Sequence, residues 1–262
     1  RGLIPPYKFI PLFEKNGFIS KLDEFVWGKS CSYMRKWLDS SGKLLPISVS
    51  VNISRVDIYN KDLCANLLAL VGKYDLPPAS LRLEITEGVY MEDSEQLSRV
   101  VGELQAAGFT VEMDDFGSGY SSLNILKDYT VDLIKLDMGF LRSFTEKSRS
   151  IISSVIGMAK DLGIKTLAEG VETQEHADFL ASIGCGRQQG FFYGKPRPLA
   201  GTLAHIEEER RGIELRKWCH YYDVASMVIR QTDRTSALFD MQEEGRLRFL
   251  YTNKAYRKQI QA

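Results

Sequence analysis

The sequence predicts an α/β fold: a TIM-like (β/α) barrel, incomplete at its N-terminus with about six of eight strands, followed by a small C-terminal α+β tail. Three observations predict this fold class. Short apolar runs recur along the chain, helical segments lie between them, and every run ends in polar residues. The six runs are residues 47–52, 81–87, 109–114, 131–137, 165–169 and 187–192. Each has the length and composition of a buried strand.

Helical segments separate the runs, for example residues 92–107, 148–162 and 173–183. A glycine follows each of these three: Gly108, Gly163 and Gly184. Glycine at this position is typical of a helix stop, because it adopts the left-handed backbone conformation without steric cost. Strict alternation of strand and helix calls for a parallel sheet with helices outside it. An open doubly wound sheet and a closed barrel of eight units both satisfy this pattern.

The polar residues at the run ends favour the barrel. An open sheet concentrates its chemistry at one switch point, whereas a barrel collects a residue from nearly every strand end. Every run contributes one here: Asn52, Glu84, Asp114, Lys135, Glu169 and Gln189. Six runs are too few to close an eight-stranded barrel, and the sequence opens at Arg1 in the pattern of a loop. We therefore expect two N-terminal strands to be missing.

The pattern changes near Arg211, after a charged helical segment. We therefore expect a barrel over residues 1–210 and a C-terminal extension over residues 211–262. In the extension, short apolar runs flank a Glu-Gly turn and precede a basic helix. This segment resembles the opening of a PAS sensor module, in which Asn253 would be the asparagine of the helix. An amphipathic extension that packs on the barrel is the alternative, and the sequence leaves both open.

Composition bounds the surroundings and partners of the chain. It has 262 residues with 34 basic and 34 acidic side chains, so no net field favours duplex nucleic acid as a partner. The apolar stretches are short and interrupted, which predicts no membrane segment and no signal peptide. Four scattered cysteines without a C-x-x-C pair fit neither a zinc site nor a disulfide framework. We expect a cytoplasmic protein, whose parent could be tethered to a membrane through regions outside this chain.

Two adjacent carboxylates, Asp114 and Asp115, stand where one apolar run meets a glycine-broken loop. Ligands bind at the rims of parallel sheets, where strands give way to loops. The alternative is an Asp-rich turn that caps a helix starting near Ser121. That alternative weakens because polar residues end the other runs in the same way. The sequence therefore predicts a metal site at this rim.

Seven motifs follow one another along the chain. They are FIPLFEKNGFI (9–19), SVNIS (50–54), LEITE (83–87), DDFGSGYSSL (114–123), IKLD (134–137), AEGVET (168–173) and QGFFYGKP (189–196). Together they resemble the EAL-type cyclic di-GMP phosphodiesterases, over roughly residues 1–205. The resemblance implies a barrel whose rim binds two divalent ions, Mg²⁺ or Mn²⁺. It also implies hydrolysis of one phosphodiester bond of cyclic di-GMP, to linear pGpG, in bacterial second-messenger signalling.

A ligand set for the ions follows from the same resemblance. Asn52, Glu84 and Asp114 would bind the first ion, and Asp114 would bridge to a second ion held by Asp115 and Glu169. The chemistry agrees, because hard cations prefer oxygen ligands and these side chains supply only oxygen. Two such ions, about 3.5 to 4 Å apart, clamp a phosphate and generate a nucleophile from water at neutral pH.

Further roles are implied by the resemblance. Lys135 would sit beside the attacking water or the phosphate, as a general base or as an electrostatic stabiliser, and the sequence leaves both roles open. The catalytic set also includes Glu169, Glu87 and Gln189. Glu87 would anchor the loop that follows Asp115, and Gln189 would hold water or substrate. The other substrate-binding positions are Asp137, Glu172 and Pro196. The gate loop, ordered by substrate or dimerisation, comprises Gly117, Ser118, Gly119 and Tyr120.

The motif that names the family is a Glu-Ala-Leu sequence on an early strand, whose Glu is a metal ligand; a nearby Arg contacts substrate. Neither residue stands in this sequence, because the motif would precede the segment GLIPPYKFIP (2–11). We expect a truncated chain with an active parent, and for this chain alone weak metal binding and little or no activity. Robust turnover by the purified fragment would overturn that expectation. The reading frame upstream of Arg1 decides whether the Glu is present.

Two other functions remain as alternatives. A noncatalytic cyclic di-GMP receptor would have the same barrel, although such receptors usually lose acids in the DDFG or LEITE segments, and none is lost here. An unrelated metal-dependent barrel enzyme acting on a small acid would differ in failing to bind cyclic di-GMP. Members of the resembled family often form homodimers, and we expect other signalling modules in the parent chain.

One departure from the family pattern concerns Glu112, where the family favours a small residue. Side chains alternate along a strand, so Glu112, two residues before Asp114, should point inward beneath the metal site. Arg82 stands two residues before Glu84 and should do the same. A buried charge needs a partner. The sequence therefore predicts an ion pair between Glu112 and Arg82.

Overall fold

The structure is a computed structural model of the chain. It describes residues 4–41, 48–90, 94–118, 125–127, 129–202, 225, 228–229, 232–241 and 246–260. The chain divides into two compact units, Arg1–Asp132 and Leu133–Ala262. None of the helices among the described residues is long and apolar enough to cross a membrane.

The first unit has a parallel sheet among its described residues, made of strands β1 (Val49–Asn52), β2 (Leu81–Thr86) and β3 (Thr110–Phe116). Two 3-10 turns, Pro6–Lys8 and Pro78–Ser80, precede α1 and β2. The helices are α1 (Ile10–Asn16), α2 (Ile19–Ser41), α3 (Arg55–Ile58), α4 (Leu63–Lys73), α5 (Glu87–Tyr90) and α6 (Ser94–Ala106).

Alternating side chains give β2 two different faces. Leu81, Leu83 and Ile85 are fully buried, whereas Arg82 and Glu84 lie on the other face and are half-buried. Strand register then sets polar residues of neighbouring strands side by side, because residues paired across a parallel sheet share a face. Glu84 is the centre of such a row, which the next subsection describes.

Helix α2 presents one buried stripe to β1 and α3, on which it packs. Ile19, Asp23, Trp27 and Cys31 recur every four residues along this stripe, and all four are buried. Three of them are the apolar residues that an amphipathic helix buries. Asp23 is the exception, a carboxyl group in an otherwise apolar row.

In the second unit, β4 (Leu133–Leu136) pairs in parallel with β5 (Lys165–Ala168), and β5 pairs in parallel with β6 (Arg187–Gln188). Helices α7 (Gly139–Arg142), α8 (Glu146–Asp161) and α9 (Gln174–Ser182) connect these strands. Thr145 and Thr173 cap α8 and α9, because each hydroxyl accepts a hydrogen bond from a backbone N–H in the first turn.

The C-terminal tail is α+β, as predicted. An antiparallel hairpin of β7 (Ala237–Met241) and β8 (Leu247–Thr252) leads into α10 (Lys254–Ile260). The buried Asn253 joins them: its Oδ1 accepts a hydrogen bond from the backbone N–H of Tyr256 at 2.9 Å, the geometry of a helix N-cap. The resemblance of this tail to a PAS module stays a prediction.

The predicted and observed C-terminal ends of three helices agree. Gly108, Gly163 and Gly184 have φ angles of 93°, 73° and 80°, the left-handed conformation expected of helix stops. The strand predicted over residues 187–192 is wrong beyond its second residue. The chain turns there instead, and the N–H of Tyr193 donates to the carbonyl of Gly190 at 3.0 Å.

Candidate active site

In the first unit, three strands bring oxygen-bearing side chains to one face of the sheet. Asn52 pairs with Glu84 across β1 and β2, and Glu84 pairs with Glu112 across β2 and β3. Asp114 follows two residues after Glu112, so its side chain shares that face. Three of the predicted metal ligands, Asn52, Glu84 and Asp114, therefore lie on one face near the carboxyl ends of neighbouring strands.

The backbone at Asn52 is held from two sides. The indole Nε1 of Trp27 donates to the carbonyl of Asn52 at 2.9 Å, and the N–H of Ile53 donates to the carbonyl of Glu84 at 2.8 Å. Trp27 was not among the predicted site residues. Its position in the apolar stripe of α2 could have indicated that Trp27 is buried. No pattern near Trp27 in the sequence indicates that its indole bonds Asn52.

Asp114 and Asp115 stand within the last residues of β3, which continues to Phe116. The strand predicted over residues 109–114 therefore ends two residues later than predicted. Asp115 has a φ of 57°, a left-handed conformation unusual for a residue other than glycine. Asp114 Oδ1 accepts a hydrogen bond from the N–H of Asp115 at 3.0 Å, which holds this local geometry. The start of the helix predicted near Ser121 lies outside the described residues, so that prediction stays untested.

Glu87 lies directly after β2 and is only 2% exposed. Its Oε2 accepts a hydrogen bond from the N–H of Gly117 at 2.9 Å, the first residue after β3. Gly117 has a φ of 93°, which explains why glycine is favoured there. Of the predicted gate loop, Gly117 and Ser118 are exposed, and Gly119 and Tyr120 lie outside the described residues.

The predicted ion pair inside the first unit is confirmed. Glu112 is 0% exposed, and its Oε1 accepts a hydrogen bond from Arg82 Nη1 at 2.9 Å. Its second oxygen, Oε2, accepts from the hydroxyl of Ser50 at 3.0 Å. Because Ser50, Arg82 and Glu112 belong to β1, β2 and β3, this network links all three strands below the predicted ligands.

The second unit carries an ion pair between a buried lysine and a half-buried glutamate at the ends of its strands. Lys135 on β4 is 5% exposed, and its Nζ lies 2.8 Å from Oε1 of Glu169, the residue that follows β5. The N–H of Glu169 donates to the carbonyl of Leu136 at 3.1 Å, which extends the strand pairing by one bond. Lys135 and Glu169, two of the four residues predicted to act in catalysis, are therefore in direct contact.

The predicted substrate-binding residues of the second unit have different surroundings. Asp137 is half-buried, and its Oδ1 accepts a hydrogen bond from the N–H of Gly139 at 2.7 Å, so one oxygen closes a local turn. Gln189, Glu172 and Pro196 have exposed side chains. The backbone of Gln189 is fixed, because its N–H donates to Ala168 and its carbonyl accepts from Val171.

Gly190 makes the closest backbone approach of this region. A Cβ atom at Gly190 would lie 2.1 Å from the carbonyl oxygen of Val171, so no other residue fits without moving the main chain. The N–H of Phe192 also donates to that carbonyl, at 3.0 Å. The loop after β6 is thereby fastened to the turn that follows Glu169.

A second group outside the predicted site residues follows Asn52 in the chain, at the start of α3. Ser54 and Asp57 form a capping box at the start of α3, in which each side chain accepts the backbone N–H of the other. The Ser-x-x-Asp spacing just before a helix was a signal for it. The approach of Asp23 from α2 to this box had no such signal, because the two segments are distant in sequence.

Comparisons with known proteins agree with this geometry. A family model described as "EAL domain" matches residues 1–196. MucR of Pseudomonas aeruginosa, a bifunctional diguanylate cyclase/cyclic di-GMP phosphodiesterase, is 36% identical over 207 residues, which cover 78% of this chain and 30% of the relative. The cyclic di-GMP phosphodiesterase PdeR of Escherichia coli is 33% identical over 200 residues, covering 76% and 30%. The chain thus spans about a third or less of these relatives.

Solved structures match as well. The structure titled "PaMucR Phosphodiesterase, c-di-GMP complex" has a TM-score of 0.72 at 35% identity, covering 77% of this chain and 82% of that one. The EAL domain of Mycobacterium smegmatis DcpA has a TM-score of 0.67 at 30% identity, covering 74% and 87%. These matches show the predicted fold class, a TIM-like α/β architecture.

Proposed function

We propose a function from one premise: this chain belongs to the EAL domain family. The function is that of a metal-dependent phosphodiesterase, which hydrolyses cyclic di-GMP to linear pGpG with two divalent ions. One observation carries the proposal. The oxygen-bearing side chains of Asn52, Glu84 and Asp114 share one face at the ends of neighbouring parallel strands.

The donor set fits divalent metal ions. Side-chain oxygens of Asn, Glu and Asp are the ligands that Mg²⁺ and Mn²⁺ prefer. We assign Asn52, Glu84 and Asp114 to one ion, and Asp114, Asp115 and Glu169 to a second. When bound, two ions at this rim supply Lewis-acid stabilisation of the phosphate and a water nucleophile at neutral pH.

The ion pair with Glu169 helps to decide whether Lys135 acts as a general base or as an electrostatic stabiliser. The ammonium group of Lys135 lies 2.8 Å from the carboxylate of Glu169, and an ammonium group has no lone pair to accept a proton. We therefore propose that Lys135 orients Glu169 and stabilises negative charge on the phosphate, and does not act as the general base.

Other residues bind and order the site. Glu87 accepts a hydrogen bond from the N–H of Gly117 and so fixes the start of the gate loop, two residues after Asp115. Gln189, Asp137, Glu172 and Pro196 are proposed to contact the substrate. The close approach of Gly190 to Val171 supports this for Gln189, because it fixes the backbone beside that side chain. We further propose a cytoplasmic location, a homodimer, and other signalling modules in the parent chain.

The test is hydrolysis of cyclic di-GMP by the full-length gene product, stripped of metal and reloaded with Mg²⁺ or Mn²⁺. Chromatography of the products should show pGpG. Asp114→Asn and Glu84→Gln should each lower the rate by more than the about 10- to 100-fold typical of groups that only orient a metal ligand. Glu95→Gln removes an exposed acid of α6 and should leave the rate unchanged.

Other outcomes decide between the alternatives. Binding of cyclic di-GMP without hydrolysis by the full-length protein would favour the noncatalytic receptor. Failure to bind cyclic di-GMP in the presence of Mn²⁺ would overturn the proposed function.

A further inference from the structure

Asp23 is a buried carboxyl group that the proposed chemistry does not use. It is 8% exposed and lies in the apolar stripe of α2, four residues before Trp27. Its Oδ2 has no hydrogen-bond partner among the residues that the structure describes. A carboxylate at this position would therefore bury a charged oxygen without a donor, which is costly.

The neighbour of Asp23 is a second buried carboxyl group. Asp57, the third residue of α3, is 3% exposed, and its side chain hydrogen-bonds that of Asp23. Asp57 Oδ2 also accepts hydrogen bonds from the hydroxyl of Ser54 at 2.6 Å and from the N–H of Ser54 at 3.1 Å. With these donors Asp57 is well satisfied as a carboxylate, so a hydrogen between the two acids belongs to Asp23.

Helix α2 reaches the same short segment at a second point. Trp27 lies one turn after Asp23 on the same helix face, and its indole Nε1 donates to the carbonyl of Asn52 at 2.9 Å. Asn52 and the capping box are joined through Ile53 alone. One face of α2 therefore contacts both ends of the turn 52–57: Trp27 bonds Asn52, and Asp23 bonds Asp57.

The charges around Asp23 act against its ionised form. Burial, the hydrogen bond and charge of Asp57, and the charge of Glu14 on α1 together raise the pKa of Asp23 to about 7. Ser54 acts in the opposite direction. Near neutral pH, loss of the proton converts a hydrogen-bonded pair of acids into two buried negative charges, which repel each other.

We propose that Asp23 is a positioning residue: in its protonated form it bonds Asp57 and, together with Trp27, holds the turn that carries Asn52 in place for metal binding. The metal-binding part of this inference rests on the proposed function. The role of Asp23 in holding the turn does not depend on the proposed function, because all of its contacts lie within the described part of the first unit.

The first experiment follows the contact between Trp27 and the turn by NMR, in the absence of metal. The indole N–H resonance of Trp27 is identified by its disappearance in Trp27→Phe and followed by ¹⁵N NMR from pH 5.5 to 8.5. It should titrate with a midpoint near 7. In Asp23→Asn, whose amide donates a hydrogen at every pH, the resonance should be flat. A flat resonance in the unaltered protein, or an unchanged midpoint in Asp23→Asn, would overturn the proposal.

The second experiment measures Mn²⁺ affinity by calorimetry at pH 6. Asp23→Ala should bind Mn²⁺ about 10- to 100-fold more weakly, the effect typical of groups that orient a metal ligand. Asp23→Asn should match the unaltered protein, and so should Glu24→Ala, which removes the exposed neighbouring acid. A merely structural role would lower the melting temperature of Asp23→Ala but leave its Mn²⁺ affinity unchanged, and that result would overturn the positioning role.

The two failures are distinguishable. If the unaltered protein binds no Mn²⁺, the proposed metal site fails, whereas the Trp27 titration still decides whether Asp23 holds the turn. Calorimetry at pH 8.5 adds a signature that packing alone cannot produce. There, Asp23→Asn should bind Mn²⁺ more tightly than the unaltered protein, because only the latter has lost the bridging proton.

Discussion

Arg82 and Glu112 form an ion pair of 2.9 Å between the second and third strands, with the carboxylate fully buried. Glu112 also stands in register with Glu84, one of the proposed metal ligands. A lone buried acid there would add negative charge beneath the site and would be costly to desolvate. The arginine removes that cost, and Ser50 binds the remaining oxygen.

Removing only Arg82 should therefore be worse than removing both partners. Arg82→Met leaves a buried carboxylate without its cation and should lower the free energy of unfolding by about 3 to 5 kcal/mol. The double variant Arg82→Met/Glu112→Gln should recover much of that loss. Urea denaturation of both variants measures the difference.

A surface pair provides the matched control for this cycle. Arg35 bonds Asp39, an exposed residue one helical turn away, and Arg35→Met should cost less than about 1 kcal/mol. Equal losses for Arg82→Met and Arg35→Met would show that the buried pair contributes no more than a surface pair.

Two nearby glycines should respond oppositely to alanine. Gly190→Ala would place its Cβ 2.1 Å from the carbonyl oxygen of Val171, so the loop after β6 must shift, at a cost of about 1 to 3 kcal/mol. Gly186→Ala meets nothing within 4 Å and should be neutral or slightly stabilising. Thermal melts of the two variants test this, and a loss of hydrolysis confined to Gly190→Ala would link the loop to the site.

Substitutions of Lys135 should separate its two candidate roles. If it stabilises charge, Lys135→Met should lower kcat by about 10²- to 10³-fold, while Lys135→Arg keeps a larger share because guanidinium stays positive. A general base would be lost in both variants alike, since arginine does not deprotonate. Lys165→Met, at an exposed lysine of β5, is the control, and melting temperatures reveal any cost of fitting the larger arginine.

Stability should fall as the pH rises from about 4 to about 7. The pKa of Asp23 is raised from 3.8 to about 7 in the folded protein, so between these values the native state binds more protons than the unfolded state. The contribution is fully present below pH 3.8 and is lost through pH 7. Across this pH range the free energy of unfolding should fall by about 2 to 4 kcal/mol.

Urea midpoints measured across this range test the pH dependence. Asp23→Asn should flatten the curve between pH 4 and 7, because the amide does not titrate. A curve of the same slope in Asp23→Asn would assign the dependence to other groups.

The sequence by itself determined much of the secondary structure of this protein. Apolar runs and helix-stop glycines located the strands and helices, and Gly108, Gly163 and Gly184 have the predicted backbone conformation. Period-two alternation even predicted the pairing of Glu112 with Arg82. These features are readable because each depends on a local rule: strand periodicity, glycine's conformational freedom, or the cost of an unpaired buried charge.

Only the tertiary structure decided the contacts between segments far apart in the chain. Asp23 contacts Asp57, Trp27 donates a hydrogen bond to the carbonyl of Asn52, and Gly190 lies close against the backbone of Val171. A side chain's burial and pKa depend on which distant segment covers it, and no local pattern encodes that choice. The positions of strands and helices therefore follow from periodicity, whereas the environment of each acid follows from packing.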